Sequence, residues 1–106
     1  VVVVFRYIVP RNFSGIALYP FVFVRNEKDK TPVFINHEKI HLKQQLELFI
    51  VVFYLWYDVE FLFKYIKYKD SYQAYRNICF EREAYLYEVQ SDYLKTRKAF
   101  SFLKFV

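Results

Sequence analysis

The stretch His37-Glu38-Lys39-Ile40-His41 constrains this chain more than any other, because it forms the pattern HExxH and uses both of the histidines present. Residues four apart share one face of an α-helix, so a helix here aims both imidazoles at one point and places Glu38 beside them. That arrangement suits a Zn2+ ion held by two ring nitrogens, with Glu38 next to an open coordination position as a base for water. A catalytic zinc usually takes three protein ligands, so the chain must supply another group downstream.

Thr31-Pro32 provides a good start for the helix, with Thr31 as N-cap and Pro32 at the first position, where a missing N–H does no harm. Along it, Asn36, Lys39 and Lys43 form a polar stripe expected to face solvent. Ile35, Leu42, Leu46 and Phe49 form an apolar stripe expected to face strands, which leaves the histidines at the rim of a cleft.

The downstream ligand is expected on the amphipathic stretch Asn77-Ile78-Cys79-Phe80-Glu81-Arg82-Glu83-Ala84-Tyr85. Glu81 and Glu83 point about 200° apart on a helix, so only one can face a metal. Cys79 lies a similar angle from Glu81 and reads as a core residue.

With His37, Glu38 and His41 in place, Glu81-Arg82-Glu83-Ala84 resembles the glutamate helix of the gluzincins, the thermolysin-like clan whose ligand glutamate often opens an ExxA pattern. At this length the chain is most similar to the minigluzincins, small soluble relatives of integral-membrane peptidases. The likeness covers about residues 16–90. It implies Zn2+ as cofactor, His37, His41 and Glu81 as ligands, Glu38 as the catalytic residue, and a peptide or protein as substrate. It also implies an edge strand beside the zinc helix, here expected at residues 21–24, that pairs with extended substrate. A terminal segment blocking the cleft in a latent form is a further implication. The clan often places an aspartate four residues after the ligand glutamate; this chain has Tyr85 there, leaving Tyr85, Asp58 and Glu88 as candidates to orient a histidine. Tyr72, Tyr75, Arg76 and Tyr85 are candidates to stabilise an oxyanion.

The fold expected is α+β in a single domain over residues 1–106: a small N-terminal sheet packed on the zinc helix and a second, glutamate-bearing helix, with a helical C-terminus. Residues 5–9 and 16–24 read as strands separated by the turn-forming Pro10-Arg11-Asn12 and Ser14-Gly15, and Pro20 marks a bulge or an edge. A helix over residues 72–90, capped by Asp70-Ser71, is expected to carry Glu81. Residues 48–57 carry no charge, yet a bilayer span needs about 20 residues. They read as a buried or interfacial helix. The tail over residues 93–106 is basic and aromatic, fit to dock on the core, touch a membrane or close over the cleft.

The lone Cys79 cannot form an internal disulfide, and residues 1–4 followed by Arg6 make no secretory signal, so a cytoplasmic location is expected. Lysines and arginines are spread along the chain with no glycine-rich or RNP-like motif, which argues against nucleic acid. The 24% aromatic content beside a net charge of +5 does suit peripheral contact with a membrane. A second reading of the same residues is therefore a non-catalytic membrane-surface or protein-interaction module with a structural or vestigial metal site.

Overall fold

Three short strands, Val2–Val4 (β1), Gly15–Leu18 (β2) and Phe21–Val24 (β3), form a sheet in the order β1-β3-β2. The computed structural model describes residues 2–5, 7–9 and 13–106. β3 is the central strand, parallel to β1 and antiparallel to β2. β-Branched and aromatic residues fill β1 and β3, as half-buried pleats favour, whereas β2 is Gly-Ile-Ala-Leu with Ile16 its one β-branched residue.

Two expectations are corrected here. The first strand lies at Val2–Val4 rather than residues 5–9: the valines pair with Val22, Phe23 and Val24, and the chain already turns at Tyr7-Ile8. Arg6 and the turn residues Pro10, Arg11 and Asn12 fall outside the described residues. The stretch over residues 16–24 is a hairpin whose turn is Tyr19-Pro20, joined by a cis peptide bond. Pro20 therefore sits in a turn and does not force residues 21–24 to an edge. The edge beside the HExxH helix is β2.

The helices are Pro32–Glu47 (α1), Val51–Tyr68 (α2), Ser71–Arg76 (α3), Cys79–Tyr87 (α4) and Tyr93–Thr96 (α5), and the fold is α+β. Thr31 caps α1 by accepting from the Phe34 N–H at 3.1 Å. The buried face of α1 is mostly polar: Asn36, His37, Glu38, His41, Gln44 and Gln45, with Ile40 alone among apolar residues. Leu46 and Phe49, expected to face strands, are exposed, and Asn36, expected in solvent, is buried. Hydrogen bonds explain the reversal. Asn36 Nδ2 donates to the carbonyls of Tyr87, Glu88 and Gln90 at 3.3, 2.8 and 2.9 Å. Gln45 donates to the Ala17 carbonyl and accepts from the Tyr19 N–H, both at 2.9 Å. α1 is thus fixed to β2 and to the end of α4 by satisfied polar groups, which specify one docking geometry more strictly than an apolar stripe does.

The close approach of β2 to α1 depends on Gly15. A Cβ there would lie 2.6 Å from the Phe23 carbonyl oxygen and 2.6 Å from the Phe34 ring. Gly15→Ala is expected to lower stability by about 1–3 kcal/mol through overpacking, measured as a fall in urea midpoint. An unchanged midpoint would place β2 farther from the helix.

The helix expected over residues 72–90 is broken at Asn77-Ile78. Ile78 is extended, and the Asn77 amide donates to the Gln73 carbonyl at 2.7 Å, closing α3. Glu60 of α2 then accepts from the Cys79 N–H at 2.9 Å and the Trp56 indole at 3.0 Å, supplying a carboxylate at the start of α4. Ile78, Cys79 and Phe80 enter the main core with Phe53 and Phe102. A smaller cluster joins Ile40, Ala84 and Tyr93.

Of the uses open to the tail, the structure shows docking on the core. Phe102 is fully buried, its ring centroid 4.9 Å from that of Phe80 and 5.5 Å from that of Trp56. Among the described residues no helix is long and apolar enough to cross a membrane.

Candidate metal centre

The i, i+4 geometry of α1 and the restart of the chain at α4 bring three donor atoms together. His37 Nε2 lies 3.1 Å and His41 Nε2 3.0 Å from Glu81 Oε1, and the two ring nitrogens are 3.2 Å apart. All three side chains are buried. Ligand atoms around a tetrahedral zinc with bonds of about 2.0–2.1 Å are separated by roughly 3.3 Å, so this triangle and its N, N, O donor set fit such an ion. Glu83, two residues on, points to the other side of α4 and bonds to Gln44, Tyr93 and Arg97. Cys79 lies in the apolar core.

Each of the three residues is held from behind. His37 Nδ1 is 3.0 Å from Glu88 Oε1, and His41 Nδ1 is 2.8 Å from Gln44 Oε1. The Tyr57 hydroxyl donates to Glu81 Oε2 at 2.7 Å. Such partners fix ring orientation and tautomer. Of the residues considered for this work, Glu88 is in place; Tyr85 instead packs its ring on His37 at 4.5 Å and bonds its hydroxyl to Tyr75 at 2.8 Å. Asp58 is exposed on the cavity wall. Arg76 stacks on Tyr85, and Tyr72 is exposed. Gln44 and Tyr57 are not among the residues expected in this role. Gln44 sits three residues after His41 on the same helix face, a signal present in the sequence; Tyr57 stands in an apolar run with nothing to mark it.

Glu38 differs from its neighbours. It is 7% exposed, lines a cavity of about 290 Å³ with His41 and Glu81, and makes no hydrogen bond to any described residue. Burial raises its carboxyl above the usual range against the pull of His41 and His37. The other walls of the cavity include Phe13, Gly15, Ile16 and Ala17 from the β2 side and Phe53, Tyr57 and Tyr75 from the helices. Ala17 turns its carbonyl away from β3 toward this side, where Gln45 and the Tyr54 hydroxyl, at 2.8 Å, bond to it. No residue of the tail over residues 93–106 lines this cavity or the groove that continues from it past His37 and Glu88.

Burial alone would lower the pKa of His41, but the adjoining Glu81 carboxylate outweighs it and lifts the imidazole to about 9. Burial likewise would raise Glu81, yet His41 and His37 overcome it and hold the carboxyl well below the carboxylate range. Folded His41 thus binds its proton more tightly than the unfolded chain, whose histidine titrates near 6.5. Its contribution is complete below about pH 6.5 and is lost as pH rises through about 9. Metal-free protein is therefore expected to lose on the order of 3 kcal/mol of stability across that window. Urea denaturation in excess chelator at pH 6 and pH 9 measures this, and equal midpoints would refute the His41–Glu81 pairing. Glu81 acts on the acid side, where its contribution disappears as pH falls below the usual carboxylate range.

Comparison of the chain with protein-family models, with curated proteins and with solved structures found no match.

Proposed function

We propose that this chain hydrolyses peptide bonds as a minimal gluzincin-type zinc peptidase, with His37, His41 and Glu81 holding the ion. One observation carries the reading: Glu38 is a buried carboxylate with no hydrogen-bond partner among the described residues, facing a cavity beside three converging ligand atoms. A structural metal site needs no such group.

Zinc bound there supplies a Lewis acid. Glu38, made more basic by burial, takes the proton of the attacking water and returns it to the departing amine. His37 and His41 keep their Nδ1 positions toward Glu88 and Gln44, which leaves both Nε2 lone pairs for the ion. Tyr75 lines the cavity, and burial raises its hydroxyl far above neutrality, so it stays a proton donor for a developing oxyanion. An extended peptide would lie along β2 at Gly15, which lines the cavity with Glu38, since the Ala17 carbonyl is already taken by Gln45 and Tyr54. A cytoplasmic location belongs to the same proposal.

Incubating the zinc-loaded protein with a mixed peptide library and reading the products by mass spectrometry tests this. Cleavage that stops with chelator and returns with zinc is expected. Failure of the zinc-loaded chain to cleave any peptide would overturn the proposal. The second reading, a surface-binding module, is favoured by α2, where Val52, Leu55, Val59, Leu62 and Ile66 recur every three or four residues, all exposed, near Lys64 and Lys67. A chain that holds zinc but never hydrolyses peptides is left with that role.

A further inference from the structure

Behind His41 lies a buried chain of polar groups that ends in the C-terminal segment. Glu83 is fully buried, and its two oxygens accept four hydrogen bonds. Gln44 Nε2 at 2.9 Å and Arg97 Nη2 at 3.1 Å reach one oxygen; the Tyr93 hydroxyl and Arg97 Nε, both at 2.5 Å, reach the other. A carboxylate offers about four lone-pair sites, so Glu83 is saturated. Arg97, its side chain 3% exposed, also grips Glu47 with Nη1 at 2.7 Å and Nη2 at 3.0 Å.

This chain leaves Gln44 one orientation. Its amide nitrogen has two protons, directed to the Phe80 carbonyl at 3.1 Å and to Glu83 at 2.9 Å. Flipping the amide would turn its oxygen against both acceptors in a dry interior, where unpaired polar groups are costly. With the nitrogen fixed, Oε1 must face His41 Nδ1, which lies 2.8 Å away. An acceptor there demands a proton on Nδ1, and a neutral ring with its proton on Nδ1 presents the Nε2 lone pair toward His37 and Glu81.

We infer that Gln44 is a positioning residue that sets the metal-binding tautomer of His41, and that Glu83 and the C-terminal Arg97 enforce its orientation. The inference rests on the zinc-site reading above. It makes the segment over residues 93–106 part of the centre's construction: the charge that neutralises Glu83 comes from Arg97, and the Tyr93 hydroxyl bonds to the same carboxylate.

Two variants test it: Gln44→Met removes the acceptor, and Glu83→Gln removes the charge that orients it. Zinc affinity is read by chelator competition, the fold by circular dichroism, and the His41 Nδ1 proton by NMR of metal-free protein above about pH 9, where the ring is neutral. Both variants should bind zinc about 10- to 100-fold more weakly. The Nδ1 proton signal should be protected from exchange in the parent and lost in Gln44→Met. Folded Gln44→Met or Glu83→Gln with parental zinc affinity would overturn the inference. If Gln44→Met does not fold, Glu83→Gln decides. A parent that binds no zinc defeats the metal-site reading instead, and the proton signal then decides the Gln44–His41 link alone.

Discussion

Glu38→Gln is expected to keep zinc and fold while lowering kcat for peptide hydrolysis by about 100- to 10,000-fold, the range over which a positioned general base acts. The expectation follows from where Glu38 sits: it bonds to none of the three converging residues and to nothing else described, so an isosteric amide disturbs no contact. Its burial works in the same direction. A carboxyl raised by desolvation is a stronger base than one in water, and glutamine removes that basicity while filling the same volume. Zinc affinity, kcat and KM measured together distinguish the cases. Parental affinity with collapsed kcat is the predicted pattern, and a variant that cleaves as fast as the parent would end the mechanism.

The other large effect is expected far from the cavity. Arg97→Met should destabilise the protein by about 3–5 kcal/mol, because it strands the fully buried Glu83 and the mostly buried Glu47 without their shared cation. Removing residues 91–106 should be worse, since Phe102 leaves the core with it; deleting a buried phenylalanine alone typically costs about 3–5 kcal/mol. Truncation is thus expected to unfold the chain rather than release a blocked cleft. Chemical denaturation of Arg97→Met measures the first effect, and a folded truncated chain would contradict the second.

What could be read from the sequence divides along the range of the interactions involved. The spacing of His37 and His41 works within one turn of helix, and Thr31 caps that helix by accepting from the Phe34 N–H three residues on, so local rules reach both. The choice of Glu81 over Glu83 followed from a likeness and an angle of about 200° on a helix, and the structure turns Glu81 toward the histidines. On α1, Lys39 and Lys43 are exposed as expected, but Asn36 looks like a surface residue until its partner, the end of α4, is in place, and Gln45 until β2 is. The break at Asn77-Ile78 has the same origin: Glu60, which takes the Cys79 N–H, stands on another helix. β1 was misplaced because three valines next to the chain start carry strand propensity but no turn signal, and their pairing partner, β3, lies 20 residues away.

Zinc content of the purified protein against His41→Ala tests the central claim most directly, since it asks whether the buried triangle is a metal site before any substrate is known. The account predicts about one zinc per parent chain after dialysis, and none retained by a folded His41→Ala. A parent chain that holds no zinc, or a His41→Ala chain that holds as much, would contradict it.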